Sequence, residues 1–244
     1  MATKDHDRTA LVFGGSRGIG AAIAQRLAVD GFQVALTYVS RPERAAVVVA
    51  SIQAAGSSAI AIRADSADPS DIGAAVATTV SRYGPLDVAV VNAGVLKMGL
   101  IADFPIEDLD LSLGINVRGV YLAIQAAARQ MKDGGRIITI GSNTASKTGS
   151  AAGTVYAMTK AAVAAMVKGI ALDLAPRRIT VNNIQPGPIE TDMTADMVSA
   201  LTDMIPLKRV GQPAEIAALA AYLSSAEAGY MTGASLTIDG GYVL

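Results

Sequence analysis

With 244 residues, the chain is long for one average domain but ordinary for a single α/β domain, and 51% apolar content with only 4% aromatic points to a core of Ala, Val, Ile and Leu. It has no cysteine and one histidine, His6 in a polar N-terminal stretch, which excludes disulfides, thiolate catalysis, a histidine triad and a built metal site. A net charge of −1 without any concentration of Lys and Arg argues against nucleic acid as a partner, and the longest apolar runs fall far short of the roughly 20 residues that a membrane span needs. Met1 to Arg8 is charged and has no apolar segment, so no secretory signal is expected and the cytoplasm is the default location.

The first expected element is a short apolar strand, Thr9 to Phe13. It runs straight into Gly14-Gly15-Ser16-Arg17-Gly18-Ile19-Gly20, and an Ala/Ile/Leu helix follows to about Asp30. Strand, glycine loop and helix N-terminus together make an anion site, because glycines let the backbone approach a pyrophosphate and the free N–H groups of the first turn point at it. The spacing is G-x-x-x-G-x-G, and glycines in a turn also have a purely steric reading.

Gln33 to Tyr38 reads as the second strand. At its C-terminal end, where a carboxylate would grip a ribose diol in an NAD enzyme, stand Tyr38-Val39-Ser40-Arg41, with Arg17 in the glycine loop. Arginines suit a 2′-phosphate, which an Asp would repel, so NADP(H) is expected in preference to NAD(H). The competing reading leaves both arginines solvated on the surface.

Arg44 to Ala55 is an Ala/Val-rich helix, and Ser58 to Arg63 a third strand ending at Asp65-Ser66, which could meet an adenine amino group or cap the helix that starts at Asp68-Pro69. Leu86 to Val91 is a fourth strand closed by Asn92-Ala93-Gly94, small enough for a flat adenine-ribose to lie against. Ile106 to Met131 has helical periodicity, interrupted on its apolar face by Asn116. A buried Asn needs partners, so it serves either a structural contact or a polar relay. Gly134-Gly135 is expected to end that helix before a fifth strand, Arg136 to Ile140.

That strand leads into Ser142, and the helix that follows carries Tyr156 and Lys160 one turn apart on one face. A phenol next to a cation can be brought towards the working pH and exchange a proton with an alcohol or carbonyl oxygen, which the Ser142 hydroxyl could hold. Taken alone, any helix can carry a Tyr and a solvated Lys four apart. The helix should run to about Ala175. Arg178 to Ile184 then forms a sixth strand, leading into Pro186-Gly187-Pro188-Ile189-Glu190-Thr191, a rigid turn in which Thr191 could bind a phosphate or carboxamide. Asp192 to Val210, with Met193, Met197 and Met204, reads as a mobile lid or as two short helices. Pro213 to Ser224 is another helix and Ser235 to Ile238 a last strand. Unbroken strand-helix alternation without a linker or repeat gives one doubly wound parallel sheet in a single domain, 1–244.

In order, Gly14-x-x-x-Gly18-x-Gly20, Asp65, Asn92-Ala93-Gly94, Asn116, Ser142, Tyr156-x-x-x-Lys160 and Pro186-Gly187 resemble the short-chain dehydrogenase/reductase family over essentially the whole chain. Within it, the chain is similar to the group of 3-oxoacyl-carrier-protein reductases and small ketone or aldehyde reductases. The resemblance implies a Rossmann fold of about seven parallel strands with helices on both faces, a homotetramer, and hydride transfer from a nicotinamide. By the same resemblance, Tyr156 is the general acid/base and Ser142 holds the substrate oxygen. Lys160 binds the nicotinamide ribose and depresses the tyrosine pKa, while Asn116 holds a water of the proton relay. It also implies that Gly14, Ser16, Arg17, Gly18, Ile19 and Gly20 form the phosphate loop and that Asp65 and Ser66 meet adenine. Asn92, Ala93 and Gly94 take the adenosine side, with Pro186, Gly187, Ile189 and Thr191 at the nicotinamide.

Three departures from the family pattern stand out. Phe13-Gly14 replaces the usual Thr-Gly, Val91-Asn92 the usual double Asn, and Ser142 to Tyr156 spans 14 positions, one more than usual, with the extra residue expected to bulge between Ala145 and Gly153. The expected activity is therefore an NADPH-dependent reduction of ketones or aldehydes. A 3-oxoacyl-carrier-protein reductase, docking its carrier through Arg118 and Arg129, is one alternative, and a nucleotide-binding sensor on the same fold is another.

Overall fold

The computed structural model describes residues 8–149, 151–192, 194 and 198–244. Its centre is a seven-stranded parallel sheet made of β1 (Arg8–Phe13), β2 (Phe32–Tyr38), β3 (Ala59–Arg63), β4 (Leu86–Val91), β5 (Met131–Ile140), β6 (Thr180–Pro186) and β7 (Ser235–Ile238), in the spatial order β3-β2-β1-β4-β5-β6-β7. The order reverses between β1 and β4, whose ends pair Phe13 with Val91. At such a switch point the connections leave in opposite directions and open a crevice at the strands' C-terminal ends.

Side chains alternate across the sheet with the period of two that a strand imposes. Ala10, Val12, Val88, Val90 and Ile138 face a layer formed by α1 (Gly18–Val29), α2 (Pro42–Ala54) and α8 (Pro213–Ser224), through Ile23, Leu27, Val48, Ile52, Ile216 and Leu223. Leu11, Phe13, Ala89, Val91 and Ile137 face the other layer, α3 (Pro69–Tyr83), α5 (Val120–Arg129) and α6 (Thr154–Leu174), through Ile72, Val76, Ile124, Val163 and Val167. Among the described residues, aliphatic side chains supply both cores, apart from Phe13, Phe32 and Met131, as the composition anticipates. Two helical runs, 106–129 and 154–177, are long and apolar enough to cross a bilayer by length and composition. Both lay a buried face on this sheet.

Expected and observed elements differ mainly in two places. The run expected as one helix from Ile106 to Met131 is α4 (Ile106–Leu113), a π-helical turn Gly114–Gly119, and α5, which ends at Arg129. Gly134 and Gly135 therefore do not end a helix. They lie inside β5, where Leu86 pairs with Met131 but Val88 with Arg136, so the strand bulges and Gly134 takes a positive φ of 79°. The second difference is that β6 begins only at Thr180, because Arg178 sits in the left-handed region at φ 55°. In the stretch expected as a lid, α7 spans Val198–Met204; Met193 and Met197 lie outside the described residues.

Candidate active site

Two clefts open at the C-terminal edge of the sheet and share Ile19, Asn92, Gly94, Val95 and Thr191. The first, of about 410 Å³, lies over the β1–β4 crevice and is lined by Gly14, Ser16, Arg17, Gly18, Tyr38, Ser40, Arg41, Asp65, Ser66 and Ala93 among others. Its floor has no room for side chains. A Cβ at Gly14, where φ is 73°, would lie 2.9 Å from Ala93 Cα. Asn92 fixes the loop by donating from Nδ2 to Gly14 O at 2.7 Å. Gly14 N in turn donates to Thr37 Oγ1 at 2.9 Å, so a hydroxyl from β2 serves the loop that Phe13 cannot. Gly20 lines neither cleft, because its role is packing: a Cβ there would stand 2.1 Å from Gly14 O.

The residues fit a dinucleotide. The glycine floor admits a pyrophosphate against the first turn of α1. At the far end Asp65 Oδ1 accepts from Ala67 N at 2.9 Å, and no described residue donates to its Oδ2. Around the tip of β2 stand Arg17, Arg41 and Arg44, with Asp192 opposite. Arg44 is paired with Asp192, and Arg17 reaches the same carboxylate at 3.5 Å. Those two cations, Arg44 foremost, hold the Asp192 carboxyl below the usual carboxylate range. Arg41 lines the cleft, and no described residue pairs with it.

The second cleft, of about 270 Å³, contains Ser142, Tyr156, Lys160, Pro186, Gly187 and Ile189. Gly141 N donates to Ile184 O at 2.7 Å, which sets Ser142 at the end of β5. Ser142 Oγ accepts from Thr144 N at 3.2 Å and from Thr144 Oγ1 at 2.9 Å. With both acceptor sites filled, the hydroxyl is left to donate its proton into the cleft. It faces the Tyr156 phenol, whose pKa it pulls down.

Burial outweighs that pull and pushes the Tyr156 pKa up. This reverses the expected direction, in which Lys160 lowers it. Lys160 is itself buried, its Nζ donates to Ile140 O at 2.9 Å and stands 5.6 Å from the Tyr156 ring centroid, and desolvation brings its pKa down to about 8. Burial, rather than Lys160, sets the direction of the phenol's shift. Tyr156 is consequently a protonated phenol at neutral pH, the form that donates.

Asn116 is 1% exposed and lines neither cleft. Its amide accepts from Val95 N at 2.9 Å, donates to Val95 O at 2.8 Å and to Thr159 Oγ1 at 3.2 Å. Both amide protons are thus spent on protein. The side chain clamps the loop after β4 to α6 beside the catalytic helix turn, where Thr159 Oγ1 donates to Tyr156 O at 2.8 Å. Gly94 fits between: a Cβ there would lie 3.3 Å from Asn116 Oδ1 and 3.6 Å from Lys160 Nζ.

Several lining residues escaped the sequence reading. Arg44 carried a signal, since a cation in a helix's first turn opposes the macrodipole and needs another reason to be there. Thr144, two residues beyond Ser142, carried one in its hydroxyl. Met98, Leu201 and Tyr242 carried none, because only the tertiary fold brings them to the second cleft.

The family described as enoyl-(acyl carrier protein) reductase matches residues 14–243. A short-chain dehydrogenase/reductase from Serratia marcescens superposes with a TM-score of 0.96 at 47% identity, covering 99% of this chain and all of its own. A blue fluorescent protein from a metagenomic library, solved in complex with NADPH, superposes at 0.95 with 43% identity, covering 99% and 100% of the two chains. Among curated relatives, a cyclic-di-GMP-binding biofilm dispersal mediator protein of Escherichia coli is 41% identical over 96% of this chain and 97% of its own. The 3-oxoacyl-[acyl-carrier-protein] reductase of Staphylococcus aureus is 39% identical with the same coverage. The chain belongs to the short-chain dehydrogenase/reductase family of oxidoreductases.

Proposed function

We propose that the protein is an NADPH-dependent carbonyl reductase that interconverts ketones or aldehydes and alcohols. The observation that carries this reading is the meeting, at the end of β5, of a donor-only Ser142 hydroxyl with the Tyr156 phenol in one cleft. Both border a cleft that joins the glycine cradle. Arg17, Arg41 and Arg44 gather at the tip of β2, whose own end carries no carboxylate, and favour the 2′-phosphorylated cofactor; the NADPH complex of the metagenomic relative agrees with this.

The cofactor, when bound, supplies the hydride and its ribose. Ser142 donates to the substrate oxygen and holds it against Tyr156. Tyr156 gives that oxygen its proton as negative charge develops there, and Lys160 would hold the ribose hydroxyls of the cofactor. Asn116 acts from behind, holding Val95 and α6 in register. Leu111, Tyr121 and Leu172 are exposed on the outer faces of α4, α5 and α6, and we assign those faces to self-association, with a homotetramer as the expected assembly.

Tyr156→Phe is expected to lower kcat for carbonyl reduction about 100- to 10,000-fold, while NADPH still binds. Turnover surviving in this variant would remove Tyr156 from its role. The Escherichia coli relative, by its name a binder of cyclic di-GMP, favours a second reading as a nucleotide-binding sensor. In that case cyclic di-GMP binds the wild type tightly and a broad carbonyl panel gives no turnover with either nicotinamide.

A further inference from the structure

The C-terminal turn is attached to the catalytic loop by two contacts. Asp239 accepts from Gly241 N at 2.9 Å and Val243 N at 3.1 Å, and its Oδ2 also accepts from Asn143 Nδ2 at 3.2 Å. Asn143 is buried and directly follows Ser142. The second contact is Lys147, whose Nζ donates to Tyr242 O at 3.3 Å and stands 6.0 Å from the Tyr242 ring centroid. By the hydroxyl end of the ring lies Gly149, at φ 73°, where an added Cβ would come within 3.3 Å of the Tyr242 hydroxyl. Tyr242 is half-buried, while Lys147 and Gly149 are exposed. Its ring therefore stands at the rim of the second cleft, with Met98 and Leu201 also among the lining residues.

At about 270 Å³ the cleft is already smaller than the roughly 300–1,000 Å³ of sites that enclose drug-sized ligands, and the nicotinamide ring takes part of it. We propose that Tyr242 sets the upper size limit of the carbonyl substrate, admitting compact aliphatic and aryl ketones and turning away long acyl thioesters. Lys147 is the positioning residue that holds it. This inference rests on the reductase reading for its choice of substrate class. Its physical content is narrower: Lys147 anchors the backbone that carries the ring and Gly149 flanks the ring's hydroxyl end, so ligands of increasing length meet it as a wall.

The test compares wild type, Tyr242→Ala and Lys147→Met, with NADPH, on diacetyl, acetophenone, tetralone and a medium-chain 3-oxoacyl thioester. Calorimetry measures binding of the same ligands to the NADP-loaded protein, and thermal melts confirm folding. Tyr242→Ala should raise the kcat/KM and affinity of the thioester and tetralone relative to diacetyl about tenfold, mostly through KM, the scale on which a pocket wall discriminates by size. Lys147→Met should move the same ratio less. If wild type turns over ketones and the ratio moves by less than twofold in Tyr242→Ala, the inference falls and the reductase reading stands. If nothing is turned over but the binding ratio moves tenfold, the reductase reading falls and the size limit stands. Absence of both turnover and binding sinks both.

Discussion

The first cleft takes most of its walls from the loops that directly follow β1, β2, β3 and β4, whereas the second is assembled from the ends of β5 and β6, the loop after β4, α7 and the C-terminal turn. In the first, backbone groups and fixed charges make the surface, and small residues are required by contact: Gly14 meets Ala93, and Gly20 meets Gly14 O. In the second, a polar pole of Ser142 and Tyr156 faces apolar side chains brought from far along the chain. One cleft is specified by local sequence, the other by the whole fold. A cofactor site that tolerates little change and a substrate site that can be re-cut are the expected result.

Gly20→Ala strikes the tighter cleft hardest. The new methyl would lie 2.1 Å from Gly14 O and 2.5 Å from Asn92 Nδ2, so the phosphate loop must shift. Expected are a KM for NADPH raised more than tenfold and a stability loss of about 1–3 kcal/mol from overpacking, read by kinetics and denaturant melts. A variant with wild-type cofactor affinity would show the floor to be more pliable than its contacts indicate.

Arg44→Ala tests the charged end of the same cleft. Loss of one charged partner to a 2′-phosphate should raise the KM for NADPH about tenfold and leave that for NADH within about twofold. Asp192→Ala should act in the opposite sense, since it frees Arg44 and Arg17 from a competing carboxylate. Equal effects on both cofactors would place the arginines outside phosphate recognition.

Lys160 lies where the clefts meet. Its proton is held up to about pH 10.5 in an unfolded chain but only to about pH 8 in the folded one, so the unfolded state binds more protons between those values. Wild-type stability should therefore gain a contribution as pH rises from about 8 towards 10.5, and Lys160→Met should lack that gain. Parallel stability–pH curves for the two proteins would refute the buried-lysine assignment. The smallest effect belongs to the first turn of α8. Glu215 is held at about 2 by Arg209, with which it pairs at 2.7 Å, and by Gln212 N. Its contribution is present above the unfolded value of 4.5 and is lost as pH falls through about 2. Because the pair is exposed, Glu215→Gln should shift the acid unfolding midpoint only slightly.

The layers, the seven strands and the glycine loop were legible because each depends on residues adjacent in sequence. The alternation of Leu11, Phe13 with Ala10, Val12 sorts itself onto two faces, and Pro69 after Asp68 marks a helix start, where Asp68 accepts from Ser70 N. Ser142, Tyr156 and Lys160 were legible as a spacing, but the direction of the phenol's pKa was not, since it depends on how much protein surrounds the ring. The β5 bulge was missed because Gly134-Gly135 has the same local meaning at a helix end and in a strand irregularity. Tyr242 was missed for a further reason: its role depends on Lys147, 95 residues earlier in the chain.

The π-helical turn at 114–119 is also an instrument of phase. One residue more than a regular turn holds advances the helix by about 100°, so α4 and α5 present different azimuths of what would otherwise be a single cylinder. Asn116 lies within this turn with its side chain buried, and deletion of one residue between Gly114 and Gly119 would bring the two segments back into a single winding. The amide that ties Val95 to Thr159 would then rotate off its partners, and the loop after β4 would lose its tie to the catalytic helix although every residue of both clefts remained in the chain.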